Sequence, residues 1–216
     1  IIDESQRIYK HQYENLIENA ITNNNKIIFS IGIDQLMHQS EINAAINDKI
    51  DSLNKVMQFQ LSDKIRTNRN LSAFIANMVN LEKISTNVNY DKINIYYVST
   101  KQEAKELIGY LINNKFEYIS LTPSSVNITE MNEFENDTNT HAVIGQEFDK
   151  VAMIMGMDFE YVGNRLNSRQ HPNPNYISSK LFYQGVTRAR TDLAIIVLRN
   201  PSLYQQLVKI RNKQID

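Results

Sequence analysis

The stretch LFYQGVTRARTDLAIIVL, residues 181–198, decides the fold of this chain. Its last six residues, 193–198, form an unbroken apolar run, which is typical of a strand buried on both faces of a parallel sheet. An amphipathic segment precedes this run, so the chain is predicted to leave a helix and turn into the strand at Arg188 and Arg190. Two guanidinium groups at such a turn suit a bound anion, because an unpaired charge in a core is very costly. Alternatively, both arginines lie in solvent at the end of the helix and offset its dipole.

Composition excludes several classes of protein. The 216 residues are enough for one large domain or for one domain plus a fragment, and 42% hydrophobic content can build a sizeable core. With 23 basic and 24 acidic residues, the net charge of -1 creates no overall field that attracts nucleic acid or an acidic membrane. The absence of cysteine excludes a disulfide framework and is compatible with a reducing cytosol. No apolar stretch is long enough to span a bilayer, so we expect a cytoplasmic protein with no membrane partner.

The two signs of charge are separated along the chain. Residues 116–149 contain seven acidic side chains and no lysine or arginine, whereas residues 164–216 contain nine basic and two acidic side chains. A basic C-terminal quarter is typical of a phosphate or nucleic-acid site. The alternative, which we favour for most of these residues, is a solvated face whose basic side chains pair with the acidic stretch.

Hydrophobic periodicity predicts alternating strands and helices. Helices are predicted over residues 9–21, 40–57 (with Ser40 as the N-cap), 71–81 and 101–112, from residue 179, and from Pro201 onwards. Strands are predicted over residues 26–33, 93–98, 118–121, 151–155 and 193–198. The polar segments 122–139 and 164–178 are expected to be irregular, since prolines interrupt the second. This alternation predicts an α/β fold with a mostly parallel sheet.

The N-terminal residues Ile1-Ile2-Asp3-Glu4 place two carboxylates directly after two apolar residues. We interpret this as the end of a buried strand whose earlier residues are missing. Carboxylates at the carboxyl end of a parallel strand lie where ligands bind in doubly wound sheets, and they suit Mg²⁺ binding by one and water activation by the other. The alternative is a turn followed by a solvated helix start, where acidic residues are favourable in any case.

Five stretches of the chain, in order, resemble the motifs of superfamily 1 helicases. IIDESQR (residues 1–7) resembles the Walker B box, and IIFSIGIDQ (27–35) resembles motif III. KIRTNRN (64–70) resembles motif IV, THAVIGQEFDKV (140–151) motif V, and FYQGVTRAR (182–190) motif VI. The Gln-Glu-Phe-Asp and Thr-Arg-Ala-Arg elements are most similar to a bacterial helicase-like family related to the C-terminal part of long Schlafen proteins.

The resemblance implies a RecA-like parallel sheet flanked by helices. Residues 1–55 would be the tail of a first RecA-like lobe, and residues 56–216 would be a second lobe. A Gly-x-x-x-x-Gly-Lys-Thr/Ser loop, which cradles phosphates in such proteins, is not found in the 216 residues. We therefore expect a C-terminal piece of a longer protein, whose N-terminal lobe is its partner and which alone neither hydrolyses ATP nor binds it tightly.

The resemblance also implies a role for each matching residue. Asp3 would hold the Mg²⁺ of ATP, and Glu4 would polarise the attacking water. Arg188 would be the arginine finger, which contributes on the order of 10³–10⁵ in rate elsewhere in phosphoryl transfer. Gln6 and Gln35 would sense the γ-phosphate and link it to nucleic acid, and Arg66 would contact the γ-phosphate. Gly145, Glu147 and Arg190 would lie beside the nucleotide. Thr140 and His141 would lie near single-stranded DNA or RNA. Each group is expected to end a parallel strand, so that all meet at one edge of the sheet.

Two functions are compatible with this resemblance. The first is a motor that couples ATP hydrolysis to movement along DNA or RNA. The second is an ATP-gated nucleic-acid-binding switch that controls an attached nuclease without separating strands. Gly32 stands where motif III usually has an aspartate, and Asp34 is a shifted acid, which keeps the second function open.

Overall fold

The computed structural model describes residues 1–32, 36, 38–53, 56–59, 67–124, 129–169 and 175–213. Within these residues the helices are α1 (Lys10–Thr22), α2 (Gln39–Ala44), α3 (Ile46–Asp51), α4 (Arg69–Val79), α5 (Lys101–Asn113), α6 (Ser178–Val186) and α7 (Pro201–Arg211). The strands are β1 (Ile93–Val98), β2 (Glu117–Tyr118), β3 (Phe148–Met155), β4 (Phe159–Val162), β5 (Arg165–Ser168) and β6 (Ala189–Leu198). None of the helices in the described part of the chain has the length and apolar character needed to cross a membrane.

Four strands form a parallel sheet in the order β1-β6-β3-β2. The apolar run of β6 lies at its centre, with Leu193 opposite Ile93 on one side and Val151 on the other. Every side chain from Leu193 to Leu198 is fully buried, as the uninterrupted apolar pattern predicts. The predicted fold class, α/β with a parallel sheet flanked by helices, is confirmed.

Helices pack on this sheet as their apolar faces require. Helix α4 contacts both α6 and α7, and all three contact the sheet, whereas α5 contacts β1, β2 and β6. The Thr100 side chain accepts a hydrogen bond from the backbone N–H of Glu103 at the start of α5, and Asn200 caps α7 directly before Pro201. The helices predicted over residues 71–81 and 101–112 and after Pro201 are therefore present, within two residues of their expected bounds.

The N-terminal segment, residues 1–53, has a small buried cluster of its own, formed by Tyr13, Ile46 and Ile50. Helix α1 matches the predicted one over residues 9–21. The strand predicted over residues 26–33 is wrong in its described part: only a single parallel bridge joins Phe29 to Ile2, and Ile28 is 60% exposed. The boundary predicted near residue 55 stays a prediction, although separate buried clusters lie on either side of it.

Two further predictions of local structure are wrong. The helix predicted over residues 40–57 is interrupted at Ala45, which has a left-handed backbone (φ 47°), and its N-cap is His38 instead of Ser40. The His38 ring accepts the backbone N–H of Ser40, and Glu41 accepts the N–H of His38, so a capping box begins two residues earlier than predicted. In the segment expected to be irregular, β5 pairs with β4 in an antiparallel hairpin across Gly163.

Candidate functional site

Several predicted site residues lie at the amino edge of the sheet. Gly145 and Glu147 come directly before β3, Arg188 comes directly before β6, and Arg190 is the second residue of β6. The backbone N–H of Phe148 donates to the carbonyl of Arg188 over 2.9 Å, which ties the two strand starts together. The expectation that each group ends a strand is therefore wrong for these four residues. They still meet at one edge, because parallel strands all begin on the same side.

The segment that resembles motif IV joins this edge. The Thr67 hydroxyl donates to the carbonyl of Thr187 over 3.3 Å, and the Asn68 amide donates to the carbonyl of Arg190 over 3.0 Å. Residues 67–68 therefore lie against the turn that contains Arg188. The two remaining predicted nucleotide-binding residues, Arg66 and Gln35, lie outside the described residues. We call Thr67, Asn68, Gly145, Glu147, Arg188 and Arg190 the amino-edge cluster.

Arg188 is the buried member of the amino-edge cluster, at 2% exposure. Its Nε donates to the carbonyl of Gln184 over 3.2 Å, and its Nη1 donates to the carbonyl of Gln146 over 3.4 Å. Of the two alternatives, the solvated helix end is wrong for Arg188, although the side chain does bind a carbonyl of the last turn of α6. Arg190, in contrast, is 58% exposed and lies 4.0 Å from the carboxylate of Asp149. The Arg188 guanidinium is thus held in place by main-chain carbonyls.

Sequence reasoning missed Gln184 and Gly185, which precede Arg188 on α6. The Gln184 amide is buried, and neither its Nε2 nor its Oε1 has a hydrogen-bond partner among the described residues. A Cβ added at Gly185 would lie 2.3 Å from Sδ of Met153 and 3.3 Å from Cγ2 of Thr140. With the Met153 side chain in this position, only a residue without a Cβ fits here, and any larger residue requires the end of that side chain to move. A glycine in the middle of an amphipathic helix is the sequence signal that could have indicated this contact.

A second group of predicted residues surrounds the N-terminal carboxylates. Glu4 has a left-handed backbone (φ 51°), and its N–H donates to the Asp3 carboxylate over 3.0 Å. The buried Gln6 donates to Glu4 over 2.6 Å and accepts the N–H of Gly32 over 3.0 Å. Arg7 lies 3.6 Å from the same Glu4 carboxylate. We call Asp3, Glu4, Gln6 and Gly32 the acidic corner. In it, the side-chain amide of Gln6 joins residues 1–7 to the stretch that begins at residue 27.

The acidic corner fits a magnesium ion only in combination with another ligand. Within the described residues, no group of three or more His, Asp or Glu side chains could hold a metal ion. Mg²⁺ in nucleotide sites is commonly held by one or two carboxylates together with substrate phosphates and water. The exposed carboxylate of Asp3 fits the protein's share of such a site.

Thr140 and His141 lie close to the N-terminal segment. Thr140 is fully buried, and its hydroxyl accepts the N–H of Thr122 over 3.1 Å, so its side chain positions this loop and offers no surface to a nucleic acid. His141 is half-buried, and its Nδ1 lies 2.8 Å from the Thr122 hydroxyl. Burial lowers the pKa of His141, the charges of Arg7 and His38 lower it further, and Glu41 partly opposes them. Of these two residues, only His141 has a partly exposed side chain, so the predicted nucleic-acid contact is limited to His141.

The carboxyl edge of the sheet is covered by a short 3-10 helix, Glu130–Phe134, inside the segment expected to be irregular. Its Met131 side chain fills the space beside Gly156, where an added Cβ would meet Cε at 2.7 Å. Glu130 binds Arg199 and Glu133 binds Lys101, which fixes both ends. Acidic side chains of residues 116–149 thus pair with basic ones at the surface, and this supports the solvated-face alternative for Arg199 and Arg190.

Comparison with known proteins adds no family to these observations: no family model and no curated protein matches the chain.

Proposed function

We propose that these residues belong to a nucleic-acid-dependent ATPase of the superfamily 1 helicase type, in which Mg²⁺ and ATP lie between the acidic corner and the amino-edge cluster. The observation that carries this proposal is that several of the helicase-like stretches, which are far apart in the sequence, contact one another. Gln6 joins the first to the second. Asn68 joins the third to the fifth, and Arg188 joins the fifth to the fourth through residue 146.

The chemistry assigned to each side chain follows from its partners. ATP with Mg²⁺ supplies the phosphoryl group and neutralises part of its charge. Asp3 is exposed and offers a carboxylate to the ion. Glu4 accepts a proton from water, and Gln6 fixes the Glu4 carboxylate by a 2.6 Å hydrogen bond so that it does not rotate away.

Arg188 supplies positive charge to the phosphates from the sheet side. In this conformation its guanidinium donates a hydrogen bond to the carbonyl of Gln146. Gly145 has φ of 79° with no atom within 4 Å of an added Cβ, so the turn before β3 has space around it. We infer that a shift of residues 145–147 exposes the guanidinium when nucleotide binds, and that the exposed Glu147 contacts the ribose at the same edge.

The phosphate-binding loop must come from polypeptide outside these 216 residues, in the remainder of a first RecA-like lobe. The N-terminal segment presents a fitting surface for that lobe. Ile1 is 89% exposed and Ile28 is 60% exposed, and each directly precedes a residue of the Ile2–Phe29 bridge; Ile21, at the end of α1, is 75% exposed. Exposed apolar side chains grouped in this way are typical of an interface. The cysteine-free composition supports a cytoplasmic location for the assembled protein.

A second function, the ATP-gated switch acting on an attached nuclease, is favoured by one observation. Gly32 has no carboxylate where motif III usually carries one, and its N–H is already used by Gln6. A motif III without that acid binds the nucleotide but has fewer groups to transmit its hydrolysis to a strand.

The test is steady-state ATP hydrolysis by the polypeptide that includes the phosphate-binding loop, with and without single-stranded DNA or RNA. We expect stimulation by one of these strands, near-complete loss of turnover in Glu4→Gln, and a fall of about 10³-fold or more in Arg188→Ala. Arg169→Ala is the matched control, because Arg169 is an exposed arginine that pairs with Glu160 far from the amino edge.

Near-native turnover in Arg188→Ala would reject the arginine-finger role, and turnover by the 216-residue chain alone that Glu4→Gln abolishes would reject the need for a further lobe. Strand separation distinguishes the two functions. ATP-driven unwinding of a duplex with a single-stranded tail supports the motor, whereas hydrolysis without unwinding supports the switch.

A further inference from the structure

Three aromatic rings join the N-terminal segment to the sheet. The Tyr176 ring lies 5.1 Å from the His38 ring, edge-on at 87°, and 5.0 Å from the His141 ring at 57°. His38 belongs to the N-terminal segment, whereas His141 lies in the loop before β3 and Tyr176 lies two residues before α6. The main chains also meet here, since His38 and Tyr176 form an antiparallel bridge and Gln39 N–H donates to the Asn175 carbonyl over 3.0 Å.

We propose that His38, Tyr176 and His141 form a pH-sensitive clasp, which holds the N-terminal segment against the sheet when both imidazoles are neutral and releases it when they are protonated. The geometry of this clasp does not depend on the proposed ATPase activity, but the clasp shares His141 with the predicted nucleic-acid contact. It uses no residue to which we assign a nucleotide or metal contact.

His38 must be unprotonated at Nδ1 for the observed contacts to form. That nitrogen accepts the backbone N–H of Ser40 over 3.0 Å, which caps the start of α2. A proton on Nδ1 converts the acceptor into a donor and removes this cap. Protonation of His38 therefore weakens the start of α2, which is also the part of the N-terminal segment that contacts Tyr176.

His141 is the second sensor, and the charged groups around it set its response. Arg7 from the N-terminal 3-10 helix and His38 face it as positive or potentially positive groups, and Glu41 of α2 is the opposing carboxylate among the described residues. Burial is the largest cause of its lowered pKa. Because the folded pKa lies below the ordinary value, the unfolded or opened chain binds more protons. The contact is therefore complete at neutral pH and is lost as pH falls below the ordinary histidine range of about 6.5.

Opening can be measured by a distance between two spin labels. The chain contains no cysteine, so Glu14→Cys on α1 and Lys105→Cys on α5 give unique labelling sites on the two sides of the clasp. We expect one narrow distance distribution at about pH 7.5 and a second, longer and broader population at about pH 5.5. The ratio of open to closed molecules should rise by up to about tenfold per pH unit for each proton taken up.

The matched variants are His38→Asn with His141→Asn, and His11→Asn. Asparagine retains a hydrogen-bond acceptor and an N-cap but does not titrate, so the double variant should lose the pH slope even if its baseline opening is higher. His11→Asn should keep the native slope, because His11 is exposed and stacks on Tyr9 instead.

An unchanged slope in the double variant, or no opening of the native chain down to pH 5.5, would overturn the clasp. Far-UV circular dichroism over the same range should change by no more than the loss of the six-residue α2. Cooperative unfolding whose midpoint falls at the same pH as the distance change would also overturn the clasp. A histidine NMR titration of the native chain requires no variant, and the midpoint of the distance change should follow the signal of His141.

Discussion

Gly185→Ala tests whether the approach of α6 to β3 is as close as the structure indicates. The new methyl carbon would lie 2.3 Å from Sδ and 2.6 Å from Cε of Met153, well inside any normal contact. The end of a methionine side chain is flexible, but Met153 is fully buried in the sheet and has only packed core around it. Overpacking of this kind typically costs about 1–3 kcal/mol.

Gly109→Ala on α5 is the matched control. It is also a helical glycine, but no atom lies within 4 Å of an added Cβ. Both changes gain the same helix propensity, roughly 0.5–1 kcal/mol. The difference between the two variants therefore isolates the overpacking cost, about 1–3 kcal/mol. Gly109→Ala should be slightly more stable than the native chain, and Gly185→Ala less stable than Gly109→Ala.

Urea unfolding followed by circular dichroism measures both free energies of unfolding. Met153→Ala in the Gly185→Ala background provides a further control, since it removes the two clashing atoms and should cost less there than in the native chain. Equal stability of the two alanine variants would refute the close helix–strand contact and, with it, the placement of Arg188 at the end of α6.

Four further outcomes are expected. Arg7→Gln removes a positive charge that faces His141 and should raise the pKa of that imidazole toward its ordinary value, as followed by NMR titration of the ring protons. Tyr161→Phe removes a 2.7 Å hydrogen bond to a carbonyl of α4 and should lower the free energy of unfolding by about 1–2 kcal/mol in urea. The pKa of the Tyr161 hydroxyl is raised by burial, so its absorbance at alkaline pH should change only after that of exposed tyrosines. Gln6→Leu removes the hydrogen bonds that the Gln6 amide makes to the Glu4 carboxylate and to the Gly32 N–H, which should cost about 1–3 kcal/mol, with faster hydrogen exchange at the Gly32 amide.

The sheet could be predicted from the sequence because its strands are marked by local pattern. The strand Ile93–Val98 was predicted with its observed bounds, and the apolar run to Leu198 is the buried centre of the sheet. Both depend on side-chain hydrophobicity alone. The same criterion fails for residues 26–33, which are as apolar as a core strand but have only one bridge partner within the described chain.

The hairpin of β4 and β5 and the break at Ala45 were not predictable in this way. The hairpin depends on a turn at Gly163 and on the buried Leu166 within an otherwise polar strand. Ala45 adopts a left-handed backbone that its residue type disfavours. In the structure this conformation occurs together with the packing of Ile46 and Ile50 on Tyr13, a contact between residues far apart in the sequence.

Several residues of the candidate site were predicted to lie together, while their functional roles stay predictions. Motif spacing placed Glu147, Arg188 and Arg190 together, but it assigned them to the wrong edge of the sheet. The order of segments holds the correct answer, since Glu147 and Arg188 directly precede their strands and Arg190 lies at the start of β6. The burial of Arg188 was missed for a different reason: its partners are the carbonyls of residues 184 and 146, and main-chain groups leave no mark in the sequence.

The central claim is that the nucleotide binds at the amino edge of this sheet, and paramagnetic broadening tests it most directly. The polypeptide that includes the phosphate-binding loop is bound to a Mn²⁺ complex of a non-hydrolysable ATP analogue, and backbone amide signals are recorded. We expect strong broadening at Gly145 and Arg190 and none at Ser99 and Asp158, which follow β1 and β3 at the opposite edge. Broadening at the carboxyl edge, or at neither edge, would contradict the account.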